Sequence, residues 1–199
     1  MELPPALDAA AASLLGRAFA GDPAFAWVLP EEATRASKLT WLASRLLRLT
    51  RQAGGRVDAS DEAPSAVALW LPIDGPFEES LGRYLRAGLW ATPFVLGLRA
   101  IGRLRVLEGP TTELHRTLAP TPHDYLLQLA VDPSRQGSGL GSALLHDGLA
   151  RAARAGRGVW LETTNPRNVP FYERAGLTVR ATRSLPGGVT LVGLARPPP

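Results

Sequence analysis

The 199-residue chain has no cysteine, a single lysine and a single methionine, and nowhere a long unbroken apolar run. Without cysteine there are no disulfides and no thiolate metal ligands. His115, His123 and His146 are not at ligand spacing, so no protein-bound metal is expected. With Lys38 as the only lysine, no glycine loop here can be a P-loop, which needs Lys and Ser/Thr directly after its last glycine. Like charges form no run: a net charge of +4 and a pI near 10.3 come from arginines scattered among acids. That pattern reads as a solvated surface rather than a nucleic-acid patch. Leu7 to Ala20 is apolar, but Glu2 and Asp8 stand where a signal peptide would be basic, so the segment reads as a helix. Ala87 to Leu98 carries no charge, yet it is interrupted by Thr92 and Pro93 and is far shorter than the about 20 residues needed to cross a bilayer, so no membrane partner is expected. What remains, 45% hydrophobic and 20% charged residues, suits one globular domain over 1–199, and a cytosolic setting fits the lack of cysteine.

The periodicities predict a helix over Leu7–Ala20 stopped by Gly21, an aromatic turn from Phe25 to Leu29, and a second helix from about Glu31 to Ala53 ended by Gly54 and Gly55. Phe25, Trp27 and Trp41 are either core or pocket lining. Arg56–Ser60 and Ser65–Leu71 read as an antiparallel hairpin that Pro72 ends. Residues 77–118 read as a helical insertion broken at Pro93, packed over the sheet, with Trp90 and Phe94 as candidate pocket lining. Leu177–Leu185 and Val189–Ala195 form a last hairpin, and 196–199, ending in three prolines, is a flexible tail. The implied architecture is α/β (α+β): a mixed, mostly antiparallel sheet with a parallel pair at its centre and helices on both faces. A homodimer is compatible with this reading.

The most informative stretch runs from His123 to Leu177. Tyr125–Val131 is a buried strand closed by Asp132 and Pro133. Leu140, Leu144, Leu145, Leu149 and Ala152 recur at helical spacing until Gly156, and Val159–Glu162 is a second strand, so the two strands are parallel neighbours. Between them lies Gln136-Gly137-Ser138-Gly139-Leu140-Gly141, followed by Ser142. Glycines there free backbone N–H groups at a helix N-terminus, an anion site most suited to a pyrophosphate. A dinucleotide fingerprint would need a glycine at position 142 and a strand running straight into the loop; Ser142 and the Asp132–Arg135 spacer disfavour it, although Glu162 stands about where its acid would.

The loop instead fits Gln/Arg-x-x-Gly-x-Gly/Ala through Gln136, Gly139 and Gly141, and downstream stand Asn165, Tyr172 seven residues later, and Gly176. In these residues, and in strand-loop-helix-strand-helix order across 123–182, the chain resembles the GNAT superfamily of N-acetyltransferases. The wording NPRNVPFYERAGL, with Asn168 as a second amide, is similar to a bacterial subgroup. The resemblance implies that the parallel strands splay apart, and that Gln136 to Ser142 hold the pyrophosphate of acetyl-coenzyme A. It implies further that backbone groups of Leu129, Ala130 and Val131 bind the pantetheine arm, that Asn165 and Asn168 help hold it, and that Tyr172 is the acid assisting thiolate departure. Glu162, ending a central strand, is the candidate general base, with His123 and Asp124 as lesser candidates. The expected activity is acetyl transfer to an amine of a small molecule or of a protein or peptide. A non-catalytic acyl-coenzyme A sensor and a dinucleotide oxidoreductase are the alternatives.

Overall fold

A computed structural model of the chain describes residues 1–75 and 81–199. Helix α1 (Asp8–Phe19), the short α2 (Pro23–Val28) and α3 (Glu32–Gln52) precede strands β1 (Arg56–Ala59) and β2 (Ala66–Ile73). Helices α4 (Leu81–Ala87), α5 (Thr92–Leu96) and α6 (Leu98–Leu118) then lead to β3 (His123–Val131), α7 (Leu140–Arg154), β4 (Gly158–Thr163), α8 (Val169–Arg174), β5 (Thr178–Leu185) and β6 (Val189–Arg196). The six strands make one sheet in the order β1-β2-β3-β4-β6-β5, antiparallel throughout except for the parallel pair β3–β4. The mixed sheet with a central parallel pair is therefore as the periodicities predict.

Alternation along β4 divides the core. Val159 and Leu161 point to one face, beneath α7, where they pack with Trp70, Leu126, Leu145, Leu149 and Leu194. Trp160 points to the other, with Leu114 of α6, Tyr125 and Leu191. A period of two in the strand thus gives each face its own apolar layer. On that second face, α1 and α3 cover the β1–β2 end through Leu14, Leu15, Leu47, Val57 and Leu69. Helix α7 carries a stripe at Gly141, Leu144, Leu145, Gly148, Leu149 and Ala152, all buried. Gly148 lets the helix settle directly on the Trp70 ring, since a Cβ there would lie 2.1 Å from Trp70 Cζ2.

Several boundaries differ from the sequence reading for identifiable reasons. The aromatic turn is a helix, because the Asp22 side chain caps it by accepting from the N–H groups of Ala24 and Phe25 at 2.9 and 3.4 Å, with Pro23 in the first turn. Pro72 does not end β2: it lies opposite Asp124 of β3, beyond the last pairing with β1, so no N–H is needed on that side. Pro93 does not break the insertion but sits in the first turn of α5; the breaks fall at Gly88 and Gly97, which hold φ of 82° and 89°. Arg196, read as tail, is in β6 opposite Val159. The first residues of the predicted insertion, 77–80, lie outside the described residues.

Candidate functional site

The centre of the sheet opens. Strands β3 and β4 pair only at His123–Gly158, Asp124–Val159 and Tyr125–Trp160, although β3 continues to Val131 and β4 to Thr163. The cause is visible on the other side of β3, where its ladder with β2 shifts register between Leu69 and Trp70 and Leu127 becomes an extra residue. A bulge bends its strand and adds twist, and here it carries β3 away from β4 just after their last pair. Among the described residues, Leu126 to Val131 therefore keep β2 on one edge and have no strand on the other. Such an edge presents backbone groups that must find a partner.

The glycine loop lies at the mouth of this opening on the α7 face. Gln136, Gly137, Ser138 and Gly139 are exposed; Leu140 and Ser142 are half-buried, and Gly141 is buried. Gly137 and Gly139 hold φ of 78° and 83°, and among the described residues nothing beyond their own chain neighbours comes within 4 Å of where a Cβ would stand. Gly141 instead faces Val131 Cγ2 at 3.1 Å from a would-be Cβ, so helix and strand approach closely there. Gly139 is the N-cap of α7 and supplies no side-chain cap, leaving the first-turn N–H groups directed at the open side. The loop is anchored at its start. Asp132 accepts from Arg17 of α1 at 2.6 Å and from Ser134, which lowers its pKa to about 2, the Arg17 contact being the largest cause. The Gln136 amide reaches the Val131 carbonyl at 3.5 Å.

On the opposite face of the same opening is a buried polar cluster. Glu162, only 5% exposed at its side chain, accepts hydrogen bonds from the Trp160 indole and the Tyr125 hydroxyl. Burial raises its pKa to about 7, against those hydrogen bonds, which lower it. His115 of α6 places Nδ1 3.8 Å from Glu162 Oε1 and Nε2 2.8 Å from His123 Nε2. Burial, then the neighbouring His123, lowers the His115 pKa to about 3, so the imidazole is neutral near neutral pH. A carboxyl poised near 7 in a dry site is what a general base needs.

Tyr172, 7% exposed, stands on α8 in the α7-side core. Burial raises its pKa, and Asp22 raises it further, so the hydroxyl keeps its proton. Asn165 caps the turn before α8 by accepting from the Arg167 N–H at 3.2 Å, and Asn168 is exposed on the same turn. Of the backbone candidates, Ala130 is buried and Leu129 and Val131 half-buried along the open edge. Asp124 is held elsewhere: Arg157 binds it at 2.6 Å while also gripping Asp74 and the carbonyls of Ile73 and His123. His123, its pKa lowered chiefly by burial, faces His115 rather than the opening.

Two residues escaped the sequence reading. His115 sits on a long helix with no motif around it, and only its place opposite β4 brings it to Glu162. Asp22, read only as part of a helix stop, accepts from Thr164 Oγ1 at 3.1 Å and raises the Tyr172 pKa; burial raises its own. Its position before Pro23 is an N-cap signal that could have been noticed, though not its reach to the end of β4.

A mixed sheet parted at its central parallel pair, with a glycine loop opening a helix at the gap, is the arrangement that the resemblance to the N-acetyltransferases implies. The family described as acetyltransferase (GNAT) family matches residues 74–177, more than half of the chain, and the chain belongs to that family. The dinucleotide alternative is thereby set aside. Solved structures agree in fold. One described as histone acetyltransferase HPA2 and related acetyltransferase from Corynebacterium glutamicum is 24% identical over 100% of this chain and 95% of its own, with a TM-score of 0.64. The C-terminal condensation domain of Ebony, in complex with beta-alanyl-dopamine, is 10% identical over 98% of this chain and 96% of its own, with a TM-score of 0.67. Arylalkylamine N-acetyltransferase 2 from Aedes aegypti is 12% identical over 98% and 96%, with a TM-score of 0.59.

Proposed function

We propose that the chain, acting as one domain over 1–199, transfers an acetyl group from acetyl-coenzyme A to an amine of a small molecule or of a protein or peptide by direct attack. The observation that carries this reading is the opening itself: one gap in the sheet has an uncapped helix N-terminus and glycine loop on one face and a buried carboxyl with a pKa near 7 on the other. The residues present suit the donor. Gln136 to Ser142 would take the pyrophosphate on backbone N–H groups, where the absence of Cβ atoms at Gly137 and Gly139 leaves room. The free edge at Leu129, Ala130 and Val131 would pair with an amide-bearing arm as a strand does, with Asn165 and Asn168 beside it. When bound, the donor supplies an activated thioester.

The chain's own residues do the proton work. Glu162, from the α6 face, takes the proton of the amine as it attacks, and the neutral His115 beside it adds no positive charge that would draw its pKa down. Tyr172 holds a proton on Oη at neutral pH and donates it at the departing sulfur. A thiol like that of free cysteine has a pKa of about 8.5, so that donation assists departure rather than being required for it.

Equilibrium titration with acetyl-coenzyme A and with NAD, followed by a panel of amines with detection of released thiol, tests the reading. Binding of acetyl-coenzyme A with turnover of at least one amine is expected. Binding without any turnover across primary, secondary and aromatic amines would leave a sensor, and binding of neither ligand would remove the site.

A further inference from the structure

Seven of the nine large apolar side chains exposed among the described residues lie between Leu81 and Val106. They protrude rather than lean on the fold: Phe94 is 84% exposed, Leu98 79%, Leu81 71% and Trp90 57%. Trp90 and Phe94 are thus turned to solvent, which is not the posture of residues lining a closed pocket. Elsewhere among the described residues, large apolar side chains are exposed only at Met1 and Val179. The concentration needs a reason, because surfaces that gather apolar groups mark interaction sites.

Charge narrows the partner. From Leu81 to Leu107 the chain has five arginines and no acid, whereas the whole chain carries only +4. Arg103 is spent inside the fold, donating to the Trp27 carbonyl at 2.7 Å and lying over the Trp27 ring. Arg86, Arg99 and Arg105 are exposed in the same segment, next in sequence to the exposed Leu85, Leu98 and Val106. A second copy of the chain is disfavoured as occupant, since a two-fold contact would bring these cations against themselves.

We propose that the α4–α6 insertion is a docking face for an anionic lipid surface, on which Trp90, Phe94 and Leu98 enter the interface while Arg86, Arg99 and Arg105 meet the headgroups. Protruding aromatic and leucine side chains flanked by arginine are the composition of elements that lie in a bilayer interface. Each would need its own pocket on a protein partner, but a fluid apolar phase accepts all of them together. The breaks at Gly88 and Gly97 divide the insertion into the short α4 and α5 and the longer α6. Docking on a bilayer differs from crossing one, and no helix among the described residues is long and apolar enough to cross. The inference is independent of the acetyl-transfer reading.

The test is co-sedimentation of the full chain with vesicles of phosphatidylcholine alone and of phosphatidylcholine mixed with phosphatidylglycerol, at low and high salt. Binding to the mixed vesicles at least about tenfold stronger than to the neutral ones, weakened by salt, is expected. The double variant Trp90→Ser, Phe94→Ser and, separately, the triple variant Arg86→Gln, Arg99→Gln, Arg105→Gln should each lose that binding. Far-UV circular dichroism and melting should match the unaltered chain, since every altered side chain is exposed. Equal affinity for both vesicles, or none for either, overturns the proposal in favour of a protein partner or of no partner. A solution mass twice that of the chain, abolished by the serine variant, overturns it in favour of self-association.

Discussion

The two faces of the sheet opening were built by different means. On the α7 face the glycine loop is local: Gln136 to Ser142 are consecutive, exposed from Gln136 to Gly139, and turned by their own φ angles, while Arg17 and the Ser65 carbonyl reach in from afar to hold Asp132. On the α6 face the cluster is wholly tertiary. Glu162 comes from β4, Tyr125 from β3 and His115 from α6, and all three side chains are buried. An exposed loop can act through backbone amides whatever surrounds it, but a side chain acquires a shifted pKa only when other elements exclude water from it.

Replacing the group that the tertiary side depends on should have the largest effect. Glu162→Gln keeps an acceptor for Trp160 and Tyr125 and removes the proposed base, so kcat with an amine acceptor should fall by about 10²- to 10⁴-fold with the acetyl-coenzyme A Kd unchanged. An unaltered kcat would move the base elsewhere. On the local side, Gly139→Glu places bulk and negative charge on the loop and should weaken cofactor binding by about 10²-fold; its φ of 83° adds about 1–2 kcal/mol of backbone strain, so folding must be checked by melting. A cofactor Kd within error of the unaltered chain would detach the loop from the site.

Tyr172→Phe should act on turnover alone, lowering kcat by on the order of 10² or somewhat less, because the ring and its packing remain while the proton is lost. If kcat holds while chemistry is rate-limiting, Tyr172 is a packing residue. Gly148→Ala tests the frame rather than the site. Its Cβ would overlap the Trp70 ring, so the melting temperature should drop by the equivalent of about 1–3 kcal/mol, and an unchanged melting temperature would mean that α7 can shift off β2 freely.

The smallest effect is read in pH. As base, Glu162 must be ionised, so kcat/KM should rise as pH increases through about 7, and that limb should vanish in Glu162→Gln. Stability runs the other way. The folded chain retains a proton on Glu162 that the unfolded chain has already lost, so stability should decline between the ordinary carboxylate range and about 7, a slope that Glu162→Gln should flatten in melts taken from about pH 5 to about pH 8.

Much of this molecule follows from neighbours in sequence. The α7 stripe, the loop, both terminal hairpins and the parallel pair are periodicity and glycine placement, which act over a few residues and survive in any context. The spacing of Asn165, Tyr172 and Gly176 likewise belongs to one turn and one helix. The helix at Phe25, the passage of β2 through Pro72 and the breaks at Gly88 and Gly97 were misplaced because caps, absent neighbours and left-handed φ angles decide them, not apolar spacing. What only the tertiary structure decided is the opening and its chemistry. A bulge at Leu127 is a relation between two strands, and the proximity of His115 to Glu162 crosses from α6 to β4. A pKa near 7 exists only once Trp160, Tyr125 and His115 have displaced the water around that carboxyl. Such terms depend on distance in space, and the order of residues carries that distance only through the complete fold.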